Sequence, residues 1–331
     1  IGGFHRAHQA VYTDEAMSGG DRDWGIVGIS LRSGDVAAQL NPQSGLYSVS
    51  ARSAVGSELR LVGAVQKVIM APESPGAVIA AIAAPTTHIV SFTVTEKGYL
   101  RRADGHLDIE AAAPSSLYHY VARGLAARKA AGLGGLTLLS CDNLADNGAV
   151  LRRLMREYLA VHYPDLIAWF DSECRCPATM IDRIVPATTD ADRAAVETIF
   201  GVRDEGAVVT EGFSQWVIED DFAGPRPRWE AVGAQLVTDV APYESAKLRM
   251  LNGAHSALAY IGLGRGHAYV HQAISDSEIL PVIDRLMREE AAPTIATAPE
   301  QDLPAYVDAL LARFANPALD HRLIQIAMDG S

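Results

Sequence analysis

The chain has 331 residues, a hydrophobic share of 49% and a formal net charge of -12. That is length and apolar content enough for two buried cores, and no Lys/Arg-rich run offers a surface for neutralising phosphates, so nucleic acid is excluded as an expected partner. The longest apolar runs, such as Val78–Pro85, fall far short of the roughly 18 to 20 residues of a membrane span, and the first residues lack the pattern of a secretory signal, so a cytoplasmic protein is expected.

Ile1-Gly2-Gly3-Phe4, followed by Arg6-Ala7-His8, reads as the end of a glycine-rich turn entering a helix, where backbone N–H groups can approach a pyrophosphate. A flexible glycine-containing end has the same composition. Trp24–Leu31 is a β-branched apolar run ending in Arg-Ser-Gly-Asp, a buried parallel strand followed by a turn. Asp35, just beyond it, has the type and place of a carboxylate that accepts from ribose hydroxyls and repels the extra phosphate of NADP, or of an ordinary turn aspartate. His88–Thr95 and Leu136–Ser140 repeat the strand pattern. With helical segments at Pro75–Ala84 and Ser115–Ala131 between them, strands alternate with helices, as in a doubly wound, Rossmann-like α/β sheet.

Ser140-Cys141-Asp142-Asn143 leaves the third strand at the carboxyl edge, where open α/β sheets bind ligands. Asn143 there is either a donor to a substrate oxygen or a cap for the helix that follows. Cys141, Cys174 and Cys176 are odd in number, and no His or second Cys pair stands at zinc-site spacing, so reduced thiols and no metal are expected. The texture changes near Thr189, dividing the chain into an expected dinucleotide-binding domain over 1–189 and a mainly α-helical domain over 190–331. Tyr243–Gly262, Asp276–Ala291 and Leu303–Ala315 carry the helical periodicity of the second part. Gly212–Asp221 reads as a strand or an interdomain segment.

Tyr243–Gly262 carries the densest set of candidate groups. At about 100° per residue, Leu251, Ala254, Leu258 and Ile261 form an apolar stripe, while His255 and Asn252 fall about 80° and about 140° round from Lys247. Oxidation of an alcohol to a ketone needs a base, donors to the developing alkoxide and a fixed geometry, which Lys247, Asn252 and His255 are able to supply. The same three residues also suit a solvated lysine, an interior asparagine and a core histidine.

Taken in order, the strings GFHRAHQAVYTDEAM from Gly3, TEKGY at 95–99, SCDNLADNG at 140–148, MIDRIVP at 180–186, QWVIED at 215–220 and the K-x4-N-x2-H pattern at 247–255 resemble the polyol-specific long-chain dehydrogenases. That family includes mannitol 2-dehydrogenase and fructuronate reductase (D-mannonate oxidoreductase). The resemblance implies that Lys247 is the general base, that Asn143 and Asn252 hold the substrate oxygen, and that His255 orients the reacting hydroxyl. It further implies that Asp182 lies by the substrate, that Asp35 selects NAD as cofactor, and that no zinc is used. It also implies a strand and a first glycine before Ile1 and a domain that continues past Ser331, with a substrate-contacting lysine just beyond.

EKGY, ARKAAGL, KLRMLNG and NPALDHRLIQIAMDGS are closer to the fructuronate reductase branch, whose carboxylate substrate wants a cation such as Arg183 or Arg249. Mannitol 2-dehydrogenase is the alternative. A sensor that binds NAD or a sugar without turnover, and a Schiff-base lysine enzyme, remain as readings from other classes, separable by turnover and by borohydride trapping. The expected partner is a small sugar acid or polyol, and the expected assembly a monomer or small homo-oligomer.

Overall fold

The computed structural model describes residues 1–112 and 114–329; Gly330 and Ser331, the last letters of the motif from Asn316, lie outside the described residues. The chain divides into two compact units, the first comprising 1–50, 59–209 and 214–238, the second 51–58, 210–213 and 239–331.

In the first unit, β1 (Ile26–Ser30) pairs in parallel with β4 (Val65–Met70), placing Ile29 opposite Ile69. The loop from Leu31 to Gly34 leads from β1 into the helix Asp35–Leu40. β2 (Tyr47–Ser53) and β3 (Gly56–Val62), which the strand pattern did not reveal, lie side by side with β8 (Val208–Glu211) in the order β3-β2-β8. β5 (Ile89–Phe92) and β6 (Thr137–Ser140) form a second parallel pair, with Phe92 opposite Ser140. These are the His88–Thr95 and Leu136–Ser140 runs, trimmed where the ladder ends. The helices Pro75–Ala83 and Leu117–Ala130 pack on each other through a glycine: a Cβ on Gly124 would stand 2.3 Å from Cγ2 of Ile82. Ser116 caps the second helix, its side chain accepting from the His119 amide. A single core joins this layer, built from Val78, Ile82, Phe92, Tyr118, Leu125, Leu138 and Leu154. The α/β, Rossmann-like class read from the strand–helix alternation is the class observed.

The first unit runs on to Thr238, well past the change of texture at Thr189. The reason is the sheet: β7 (Thr179–Asp182) pairs antiparallel with β9 (Gln215–Glu219), and β9 pairs in parallel with β10 (Gln235–Val237). Trp216 on β9 is fully buried beside Tyr12 and Trp229. The Gly212–Asp221 segment, read as a strand or an interdomain segment, contains β9, and the division between the units falls within it, between Phe213 and Ser214.

The second unit is mainly helical. Its core gathers Met250, Leu251, Ala254 and Leu258 with Ile274, Ile283, Val307, Leu310 and Phe314. Three of the four residues of the expected apolar stripe are in that core, but Ile261 is exposed. Gly262 takes the inward place instead, with Leu323 and Ala273 so close that a Cβ would stand 2.7 and 2.8 Å from them. Among the described residues no helix is long and apolar enough to cross a membrane.

Candidate active site

The N-terminal turn enters the short helix Gly3–Ala7 with Gly2 at the N-cap and no side chain bonded to its first-turn amides. Such amides have no intrahelical acceptor, which suits an anionic group. A Cβ on Gly2 would meet nothing within 4 Å, so the main chain there is approachable. Ile1 lies against β1: its main-chain nitrogen donates to the Ile29 carbonyl at 3.0 Å, and a Cβ on Gly28 would be 2.8 Å from its side chain. Phe4 stacks on His8, with ring centroids 5.1 Å apart. Asp35 is exposed at the first position of the helix after β1. It lies five residues beyond the carboxyl end of β1. These residues fit a dinucleotide: open main-chain amides for the phosphates and an accessible carboxylate for ribose hydroxyls.

Asn143 is exposed three residues after the end of β6. The next helix is Asn147–His162, with Asp146 at its N-cap in a left-handed conformation and no side-chain cap bond. Asn143 thus lies three residues before the N-cap position of that helix. Beneath it lies a buried polar network that the sequence reading missed. Asp142 accepts the N–H of Thr95 at 2.8 Å, the N–H of Val94 at 3.0 Å and the Tyr99 hydroxyl at 2.9 Å. Tyr99 also meets the Ser140 hydroxyl at 2.5 Å, and the Thr179 hydroxyl donates to the Ser140 carbonyl at 2.6 Å. Asn147 closes the ring by accepting the Thr179 N–H at 2.9 Å and donating to the carbonyls of Thr179 and Asp142. Burial pushes the Asp142 carboxyl above its ordinary range, opposed by the Val94 and Thr95 amides. The network joins the TEKGY turn, the Asn143 turn and β7. Its only trace in the sequence is the set of polar residues at the ends of otherwise apolar strands.

Asp182 is buried at the end of β7. Arg183, next to it, donates to the main-chain carbonyl of Ala7, so the MIDR segment is tied to the N-terminal turn. Val185 stands 3.9 Å from where a Gly3 Cβ would be. The first unit thus brings Gly3, Asp182 and Arg183 into one neighbourhood.

In the second unit the segment from Ala241 to Gly264 is not one regular helix. Ala241–Ala246 is α-helical, Lys247–Asn252 is a π-helical turn and Gly253–Gly264 is α-helical again. The Gly253 N–H bonds the Leu248 carbonyl, five residues back. On such a wide turn each residue advances by less than about 100°, so Lys247 and Asn252 lie closer in angle than the about 140° of a regular helix. π-turns are uncommon and concentrate at functional sites.

His255 lies one turn on. Its ring is 4.8 Å from that of Phe314 and meets that of His321 edge-on at 5.0 Å. Burial first, then His321 and Arg313, lower its pKa to about 3, so the imidazole is neutral. Part of the residue's surface remains accessible, yet Nε2 is buried and has no hydrogen-bond partner among the described residues. A buried imidazole nitrogen without a partner costs about 1 to 3 kcal/mol, which a ligand hydroxyl would offset. Arg249, by contrast, is exposed and donates to the Thr294 carbonyl at 2.6 Å.

All three cysteines are free thiols. Burial pushes Cys174 up to about 11 and Cys176 to about 12, and raises Cys141 further, which makes them poor nucleophiles. Among the described residues no group of three His, Cys, Asp or Glu is placed to hold a metal ion.

A Rossmann-like unit with an open glycine turn, followed by a helical unit carrying a lysine, an asparagine and a neutral histidine, defines a dehydrogenase-type architecture. Residues 1–231 match the Mannitol dehydrogenase Rossmann domain, and residues 239–331 the Mannitol dehydrogenase C-terminal domain. The chain is 43% identical to the uncharacterized oxidoreductase YeiQ of Escherichia coli, aligning over all of this chain and 70% of that protein. It is 41% identical to the D-mannonate oxidoreductase of Escherichia coli, over all of this chain and 71% of that one. It superposes on the Pseudomonas fluorescens mannitol 2-dehydrogenase ternary complex with NAD and D-mannitol with a TM-score of 0.89 at 37% identity, covering 98% of this chain and 69% of that one. The chain belongs to the mannitol dehydrogenase family, oxidoreductases that act on secondary alcohols.

Proposed function

We propose that the protein is a fructuronate reductase, interconverting D-mannonate and NAD with D-fructuronate, NADH and a proton. The observation that supports this chemistry is the π-turn over Lys247–Asn252, one turn before the unpartnered Nε2 of His255. The cofactor is NAD, which when bound supplies the hydride acceptor. Gly2, Gly3 and Phe4 hold its phosphates through main-chain amides, with Ile1 seating the turn on β1. Asp35 accepts from the adenosine ribose and disfavours NADP; saturation kinetics with both cofactors test that preference.

Lys247 takes the hydroxyl proton of the alcohol in oxidation and returns it in reduction. Asn143 and Asn252 donate to the oxygen as negative charge develops, each donor being worth about 3 kcal/mol. A neutral His255 both accepts and donates, and so orients the reacting hydroxyl. Asp182 belongs to the substrate pocket. For the substrate carboxylate the candidate cations are Arg183 and Arg249. Arg183 donates to the Ala7 carbonyl and Arg249 to the Thr294 carbonyl, and a guanidinium carries five N–H donors in all. Arg183, beside the buried Asp182, is the stronger candidate.

Support for a sugar-acid substrate comes from the 41% identity to the D-mannonate oxidoreductase. The likeness to a mannitol 2-dehydrogenase supports a second reading, a neutral polyol and fructose. NADH oxidation with fructuronate and fructose at equal concentration separates them. Preference for fructuronate is expected; preference for fructose overturns the first reading in favour of the second, and activity with neither overturns both.

A further inference from the structure

The second unit contains a buried ion pair that the chemistry above does not use. Arg313, next to the end of the helix Leu303–Phe314, sets its guanidinium fork on Glu211, with Nε to Oε2 at 3.0 Å and Nη2 to Oε1 at 2.8 Å. The side chains are only 7% and 2% exposed. Phe213 lies against the same guanidinium, its ring centroid 3.9 Å from Cζ. Two charges withdrawn from water cost several kcal/mol unless geometry and hydrogen bonding are good, and an apolar pair of equal volume often stabilises as well. A bidentate fork stacked on an aromatic ring is accordingly an orienting device more than a source of stability.

What it orients is the next residue. Phe314 follows Arg313 and lies against the His255 ring, and His321 closes on that ring edge-on. The intervening chain is fastened as well, since the Asn316 amide donates to the Arg52 carbonyl at 3.3 Å. We propose that Arg313, clamped by Glu211 and Phe213, is a positioning residue for His255, fixing the end of its helix so that Phe314 and His321 hold the imidazole in one orientation. This rests on the reading of His255 as the group that orients substrate. The clamp has an electrostatic consequence too. The titratable and charged groups acting on His255 are His321 and Arg313, and Arg313 also acts on His321. A permanent cation beside the two rings disfavours protonation of either.

The test uses the 331-residue protein and imidazole 15N NMR, with the His255 signals assigned by their loss in His255→Asn. In the unaltered protein a neutral His255 with one dominant tautomer is expected throughout the range from pH 7.5 to 5. In Glu211→Gln/Arg313→Met, which removes both charges at similar volume, the ring should sample both tautomers and begin to protonate within that range. Turnover should then fall on the order of tenfold to a hundredfold, with KM for NAD unchanged. An unchanged His255 spectrum in the folded double variant overturns the proposal. Should that variant fail to fold, Arg313→Lys keeps the charge but loses the fork: a second tautomer supports the proposal, and an unaltered spectrum overturns it. Absence of turnover with every sugar in the unaltered protein would count against the functional reading alone, because the NMR result does not depend on it.

Discussion

Asp142 accepts the main-chain N–H of Thr95 at 2.8 Å, and Thr95 sits in a left-handed conformation with φ of 62°. A β-branched residue in that region is strained by about 1 to 3 kcal/mol and persists only where neighbours hold it. Here the holders are the two oxygens of one buried carboxylate, which also take the Val94 N–H and the Tyr99 hydroxyl. Replacing Asp142 with Asn turns one acceptor into a donor facing an N–H or O–H. The expected result is a loss of about 1 to 3 kcal/mol in urea denaturation, together with faster trypsin cleavage after Lys97 as the turn relaxes. Unaltered stability and cleavage would show that Asp142 does not hold the turn.

Lys247→Ala removes the proposed base while leaving the first unit intact. Turnover should fall by about 100- to 10,000-fold, the usual contribution of a positioned acid–base group. NAD affinity, followed by fluorescence titration, should stay within about twofold, because no proposed cofactor contact is lost. Turnover close to that of the unaltered protein would remove Lys247 from the mechanism.

Acid should destabilise the protein well before its carboxylates titrate. Burial lowers the pKa of both His5 and His255 to about 3, against an ordinary 6.5. In each case the unfolded chain binds the proton and the folded one does not. Stability is therefore fully present above pH 6.5 and is lost as pH falls from 6.5 toward 3. Each histidine contributes up to about 1.4 kcal/mol per pH unit over that window. Denaturation midpoints at pH 7.5, 6 and 5 would reveal the slope, and His255→Asn should reduce it. A flat profile would mean that these rings protonate inside the fold.

Gly262→Ala tests the packing that replaced the expected stripe. Its added Cβ would lie 2.7 Å from Leu323 and 2.8 Å from Ala273, closer than real contacts allow. Overpacking of this kind costs about 1 to 3 kcal/mol. Ile261→Ala, at an exposed site, should cost less. The reverse order in thermal unfolding would restore Ile261 to the inward face.

The core-forming strand runs Trp24–Leu31, His88–Thr95 and Leu136–Ser140 were legible because strands buried in an α/β sheet are continuously apolar, and such runs alternating with helical segments leave few other folds. The K-x4-N-x2-H pattern was equally legible, since residue type and spacing are properties of the chain itself. Tertiary structure decided the rest. The angle between Lys247 and Asn252 depends on a π-turn, whose i→i+5 bond from Gly253 to Leu248 no spacing pattern announces. The unit boundary at Thr238 depended on β7, β9 and β10 finding one another across the chain. The partners of Asp142 and Arg313 were likewise beyond the sequence. Asp142 meets residues 47 and 48 positions away, and Arg313 meets one 102 positions away. A buried charge shows its meaning only when the group that satisfies it is in place.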